Sequence, residues 1–191
     1  EQDGPFHINN KFLCGHDERH WFVAGIDIDV ATIWEAKEAL KPRGVRAGQD
    51  IAGVKKKDLQ KRRNKGFIRQ GEWFFVPAPS VEINRNLIIR KEPLQRGAGT
   101  PHMAEEVFRT GGIPVRINNQ YPSGLSEIEY KEELKLHPEI KRLRWEHRTR
   151  NAGVYVRGKV RHPDHKTIVL KGWHRVMMSN EAMGGSNVFL D

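Results

Sequence analysis

Nine histidines stand in this chain, and two groups of them have a spacing that could do chemistry. His162, Asp164 and His165 fall in the run His-Pro-Asp-His, and His174 follows shortly after. An imidazole with a carboxylate beside it can move a proton at neutral pH. These four residues are therefore candidate acid–base groups for attack on a phosphodiester. The run is also ordinary turn chemistry, since proline fixes φ and aspartate bonds its own backbone. Earlier in the chain Cys14, His16 and His20 lie close together, with Asp17 and Glu18 between them. That donor set could ligate zinc or a similar transition ion if other ligands met it in space. It has neither a Cys-x-x-Cys pair nor a His-Glu-x-x-His helix, the spacings that make a metal motif specific. Cys14 itself reads as a packing residue before a nucleophile, because His16 two residues away need not face it.

Cations form the second kind of constellation. Residues 54–65 hold Lys55, Lys56, Lys57, Lys61, Arg62, Arg63 and Lys65 against Asp58 alone. If they are helical, Lys57, Lys61 and Lys65 share one stripe with Arg62 beside it, a row that could follow a phosphate backbone. Residues 141–161 hold Lys141, Arg142, Arg144, Arg148, Arg150, Arg157, Lys159 and Arg161 against Glu146, with Trp145, His147 and Tyr155 interleaved. In an extended strand Tyr155, Arg157, Lys159 and Arg161 face one way and Val154, Val156 and Val160 the other. Arginine forks onto phosphates and exposed aromatics stack on unpaired bases. The plainer reading of both segments is a solvated surface over aromatic core residues. A third feature is the loop Arg96, Gly97, Ala98, Gly99, Thr100 ahead of Pro101. With Thr100 as N-cap, Arg96, Gly97, Gly99 and Thr100 could hold an anion at a helix start. The Gly-Lys-Ser/Thr ending of a nucleotide loop is missing.

These residues need elements to position them. Residues 1–19 read as irregular and residues 20–28 as a buried strand. Asp29 is placed to cap a helix carrying Val30, Ile33, Trp34 and Leu40 on one face, ended by Pro42 and Gly44. Residues 54–65 read as a short helix or an ordered loop closed by Gly66. Residues 72–77 form an apolar strand stopped by Pro77. A turn at residues 84–86 could pair residues 81–83 with residues 87–90. The spacing predicts a helix from Thr100 to about Thr110, stopped at Gly111 and Gly112. Residues 115–117 form a strand. Ser126 with Glu129 makes a capping box that starts a helix, and a second helix runs from Pro138 to about Arg150. Residues 154–160, 167–170 and 173–178 read as a β-meander, and residues 182–191 as a loose tail.

The fold class that results is α+β: a single mixed domain over residues 1–191, with short helices packed on a mostly antiparallel sheet and a C-terminal β-meander. The totals agree. The chain has 191 residues, enough for one core, and 37 % of them are hydrophobic, including five Trp and eight Phe. One cysteine excludes an intramolecular disulfide and fits a reducing, cytoplasmic setting. Residues 1–5 do not read as a secretory signal, no apolar run approaches a membrane span, and no membrane partner is expected. A net charge of +9 points to a polyanion. The leading expectation is a nucleic-acid-binding protein, RNA before DNA, that makes backbone contacts through the two basic segments. The alternatives are a histidine-dependent phosphodiesterase or nuclease, and a basic module that docks an acidic protein or a ribonucleoprotein assembly. No cofactor is expected, except that the enzyme reading would admit a divalent metal.

Overall fold

In the computed structural model the described residues are 11–17, 20–26, 29–95 and 99–181, with Asp17 and His20 described by their backbone alone. The first elements are a hairpin of β1 (Lys11–Asp17) and β2 (His20–Ile26), paired from Lys11 opposite Ile26 to Asp17 opposite His20. Part of the segment read as irregular is thus a strand. The second strand is buried on one face only. Leu13, Ala24 and Ile26 pack with Ala36 and Leu40, while Phe12, Trp21 and Val23 point outward and are exposed.

Helix α1 (Ile33–Ala39) is capped by Thr32, not Asp29. Thr32 accepts from Glu35 N–H and the Glu35 side chain accepts from Thr32 N–H, a full capping box. Asp29 pairs with Lys11 instead. Ala36 and Leu40 form the buried stripe, and Ile33 and Trp34 are exposed. Pro42 does not end the helical region. Its rigid φ opens a second helix, α2 (Arg43–Ile51), which sequence reading missed.

The basic residues 54–65 form an ordered loop with one 3-10 turn (Lys56–Asp58), so Lys57, Lys61 and Lys65 are not a helical stripe. Hydrogen bonds to the backbone hold this loop against its own charge. Lys41 Nζ and Gln49 Nε2 both donate to Leu59 O, at 2.9 Å each. Asn64 Nδ2 donates to Asp58 O, and Asn64 Oδ1 accepts from Gly66 and Phe67 N–H. Lys41 is buried and its charge is met by Glu38 at 2.6 Å.

The main sheet follows. Its strands are β3 (Ile68–Gln70), β4 (Trp73–Pro77), β5 (Ile89–Leu94), β6 (His102–Thr110), β10 (Gly153–Arg161) and β11 (Ile168–Met178), in the spatial order β3-β4-β11-β10-β6-β5, all antiparallel. Residues 81–83 form no strand, and β5 pairs with β6. Residues 102–110 are a strand where a helix was expected. Once a bulge opposite residues 157–160 is allowed for, His102, Ala104 and Val107 face inward, and pairing on both sides overrides the helical propensity of Met-Ala-Glu-Glu. The last two meander segments are one bent strand, β11. Its first half pairs with β10 and its second half runs between β10 and β4. Gly158, at φ +87°, makes the bulge that bends the pair.

The sheet curls strongly. Trp73 on β4 and His102 on β6 are three strand spacings apart, about 14 Å if the sheet were flat, yet their rings lie 6.4 Å apart. The concave side holds the core of Trp73, Phe75, Leu94, Ala104, Val107, Val154, Val156, Val160 and Leu170. The convex side of β4 carries Phe74, which packs with Phe67 and with Val45 of α2.

β6 and β10 continue past a kink at residues 111–112 and 151–152 into β7 (Ile113–Ile117) and β9 (Glu146–Arg150), which pair with each other and, through β7, with β8 (Leu125–Ser126). Helix α3 (Glu127–Leu136) covers this small sheet, and the Ser126–Glu129 capping box stands as its sequence implies. The expected second helix is a 3-10 turn (Pro138–Arg142) followed by β9. Trp145 is half-buried between Tyr121 and Tyr130, and donates Nε1–H to Ile140 O. Among the described residues no helix is long and apolar enough to cross a membrane.

Candidate functional site

Two places gather chemistry-bearing side chains. At the first, the start of β6 and the turn between β10 and β11 bring His102, His162 and His165 together, one ring nitrogen from each within 4.8 Å of the others. His102 opens β6 opposite Leu94 and is 1 % exposed. Its ring stacks on His162 at 4.3 Å and on His165 at 5.4 Å, and the edge of Trp73 closes the inner side. The turn is set by local chemistry. Asp164 N–H donates to His162 Nδ1 at 3.1 Å, so the His162 proton sits on Nε2 and points at Thr100 O, 3.2 Å away. Gln70 Nε2 donates to Lys166 O at 2.6 Å and ties the turn to β3. Burial, followed by the neighbouring His162 and His165, pushes the His102 pKa down to about 3. The imidazole is therefore neutral at physiological pH.

The turn histidines of the acid–base reading thus meet each other, together with His102, which sequence reading passed over. His102 was placed in the first turn of a helix, and only the strand assignment brings it inward. His174 is not part of this cluster. It lies on β11 with Nδ1 at 2.8 Å from Gly172 O, and burial lowers its pKa. Cys14 and His16 are exposed on β1, where His16 meets the edge of Trp21 and also borders the concavity described next, and the His20 side chain lies outside the described residues. Among the described residues the His102, His162, His165 trio is the one metal-competent group.

The second place is a concavity of about 210 Å³ between the hairpin, α1 and the basic loop. Lys37, Lys41, Lys61, Arg62 and Arg69 line it, over a floor of Phe22, Phe67 and Phe74, and among the described residues no carboxylate is part of its lining, although Glu181 and Glu72 act on Arg69 from nearby. Lys41 and Lys61 are paired outside the wall with Glu38 and Asp58. Arg69 lies over the Phe74 ring at 5.1 Å and donates Nε–H to Gly71 O. Burial, then the nearby Arg62, lowers its pKa from the ordinary arginine value. In the same basic loop Lys55, Lys56, Lys57, Arg63 and Lys65 are exposed and form no ion pair among the described residues.

The other basic segment is less concentrated. On β10 the outward set of Tyr155, Arg157, Lys159 and Arg161 stands as the alternation implies, but Arg157 is held by Glu106 at 2.6 Å and lies over Trp173. Arg148 pairs with Glu146 and Arg150 with Glu129, while Arg142 and Arg144 are exposed on the small lobe. At the glycine loop, Arg96 and Gly97 lie outside the described residues. Gly99 and Thr100 are exposed, and no helix start follows them to supply N–H groups. No family model, no curated protein and no solved structure matches the chain.

Proposed function

We propose that this chain binds single-stranded nucleic acid, taking backbone phosphate in the concavity at Lys37 and Arg69 and along the exposed loop of Lys55, Lys56, Lys57, Arg63 and Lys65. The observation that carries the reading is the concavity's lining: five cations and, among the described residues, no carboxylate, with Lys41 and Lys61 balanced by Glu38 and Asp58. Clustered cations repel one another unless an anion screens them, and burial strengthens that repulsion. The adjoining hairpin supplies the second ingredient of single-strand binding. Phe12 and Trp21 stand exposed on its outer face, Trp21 at 81 %, and exposed aromatic faces stack unpaired bases of any sequence. The pairing of Arg148, Arg150 and Arg157 with carboxylates makes the 142–161 region the secondary contact.

The test is an anisotropy titration of a labelled single-stranded RNA and its DNA counterpart with the wild-type chain and with Lys37→Gln/Arg69→Gln. Two charge-assisted contacts at about 1.5–3 kcal/mol each correspond to a loss of roughly 100-fold or more. Arg142→Gln/Arg144→Gln is expected to cost much less. Equal affinities for the wild type and the Lys37/Arg69 variant would remove the concavity from the account. Tighter binding of RNA than of DNA would refine the partner to RNA.

A second reading is favoured by the meeting of His162 and His165: the same polyanion is cleaved, with these imidazoles moving the proton. His165→Ala would then abolish turnover while leaving binding in place. Absence of turnover by the wild-type chain, with and without divalent metal, would remove it.

A further inference from the structure

We propose that His102, His162 and His165 form a binding site for one divalent transition-metal ion of the zinc class. Three observations point there besides the proximity of the rings. First, four buried polar atoms gathered at this end of the barrel-like sheet have no hydrogen-bond partner among the described residues: His102 Nδ1, His102 Nε2, Trp73 Nε1 and Gln70 Oε1. Leaving such a group unpaired costs about 1–3 kcal/mol, so several at one spot mark a place served by an ion or water. Second, Gly71 turns the β3–β4 hairpin at φ +57° and leaves open the space beside the rings. A Cβ there would stand 3.0 Å from His165 Nε2 and 3.3 Å from His102 Nε2. Third, the donors are all imidazole nitrogen. That set suits zinc, nickel or copper and not magnesium or calcium, which take oxygen.

Loading changes the cluster in a defined way. The rings are now nearly parallel, at 26° and 19° to His102, and an ion needs their nitrogens to converge. His162 must release Thr100 O and the Asp164 N–H, offer Nε2 to the ion, and carry its proton on Nδ1. Asp164 Oδ2, 4.0 Å from Nδ1, is then the acceptor that orients the ring. Three protein ligands leave a fourth position for water or an anion.

The experiment uses the untagged full chain, stripped with chelator and shown to be folded by circular dichroism. Zinc is titrated in competition with a chromophoric chelator at neutral pH, and cobalt is added separately to read its visible absorption. The expected result is one tight equivalent of zinc and a cobalt spectrum of four- or five-coordinate strength. Both should be lost in His102→Gln by more than the roughly 10–100-fold that an outer partner is worth. Gly71→Ala removes no ligand and is expected to weaken uptake as well. His147→Ala, an exposed histidine elsewhere, is expected to keep it. If His102→Gln does not fold, His165→Gln takes its place. Failure of the folded wild type to take up zinc stoichiometrically overturns the proposal, and so does uptake that the trio variants leave unchanged.

Discussion

Replacing Phe75 with alanine is expected to destabilise the chain by about 3–5 kcal/mol, a large share of the 5–15 kcal/mol that holds a domain folded. Phe75 is wholly buried on β4, opposite Ile68 on one side and Val176 on the other. It belongs to the concave core with Trp73, Val156 and Leu170. β4 is buried on both faces, since Phe74 fills the opposite side under α2. At β4 the sheet therefore has no solvent face onto which it could relax and close the cavity. Urea unfolding should show a lower midpoint with little change in slope. Phe12→Ala removes the same side chain from the exposed outer face of β1 and should stay within about 0.5 kcal/mol. Similar costs for the two would mean that β4 is not the centre of the core.

Acidification is the second large effect. The unfolded chain takes up the His102 proton near the ordinary histidine value of 6.5, whereas the native chain does so only at about 3. Between those two values the unfolded state binds more protons, so stability falls as the pH falls. The contribution is complete above pH 6.5 and is lost at about 1.4 kcal/mol per pH unit below it. For His102 alone the loss by pH 5 is about 2 kcal/mol. His174, also lowered by burial, adds in the same sense. The titratable groups against His102 are His162 and His165, and a positive charge on either one repels a charge on it. Urea midpoints of the metal-free chain at pH 7 and pH 5 read the combined effect. Comparing them with the same pair for His102→Gln isolates one proton. A difference between the variant and the wild type that does not change between the two pH values would show that His102 is protonated in the native chain.

Much of the local structure is legible in the sequence because it is dictated by near neighbours. The Ser126–Glu129 capping box, the β4 strand ended at Pro77 and the inward valines of β10 are set within a few residues. The α+β class with C-terminal strands follows from them. What is not legible is set at long range. Residues 102–110 carry helix-forming residues and a plausible cap, yet become a strand because β5 and β10 bond to both sides. That single error also concealed the best-buried member of the histidine trio. Residues 146–150 are likewise drawn into a strand by β7. At the basic loop the composition was visible, but its shape was not. That shape depends on Lys41 and Gln49 reaching Leu59 O from the α1–α2 region, contacts that no local pattern announces.

If this concentration of positive charge meets phosphate, the salt dependence of binding shows it most directly. The observed association constant of the wild-type chain for a single-stranded oligonucleotide should fall linearly on a log–log plot against salt. Each phosphate neutralised contributes a slope of about −0.7, so three or more contacts give roughly −2 or steeper. Lys37→Gln/Arg69→Gln should flatten that line. Affinity that stays level from low to moderate salt, or a slope that the two substitutions leave unchanged, would contradict the account.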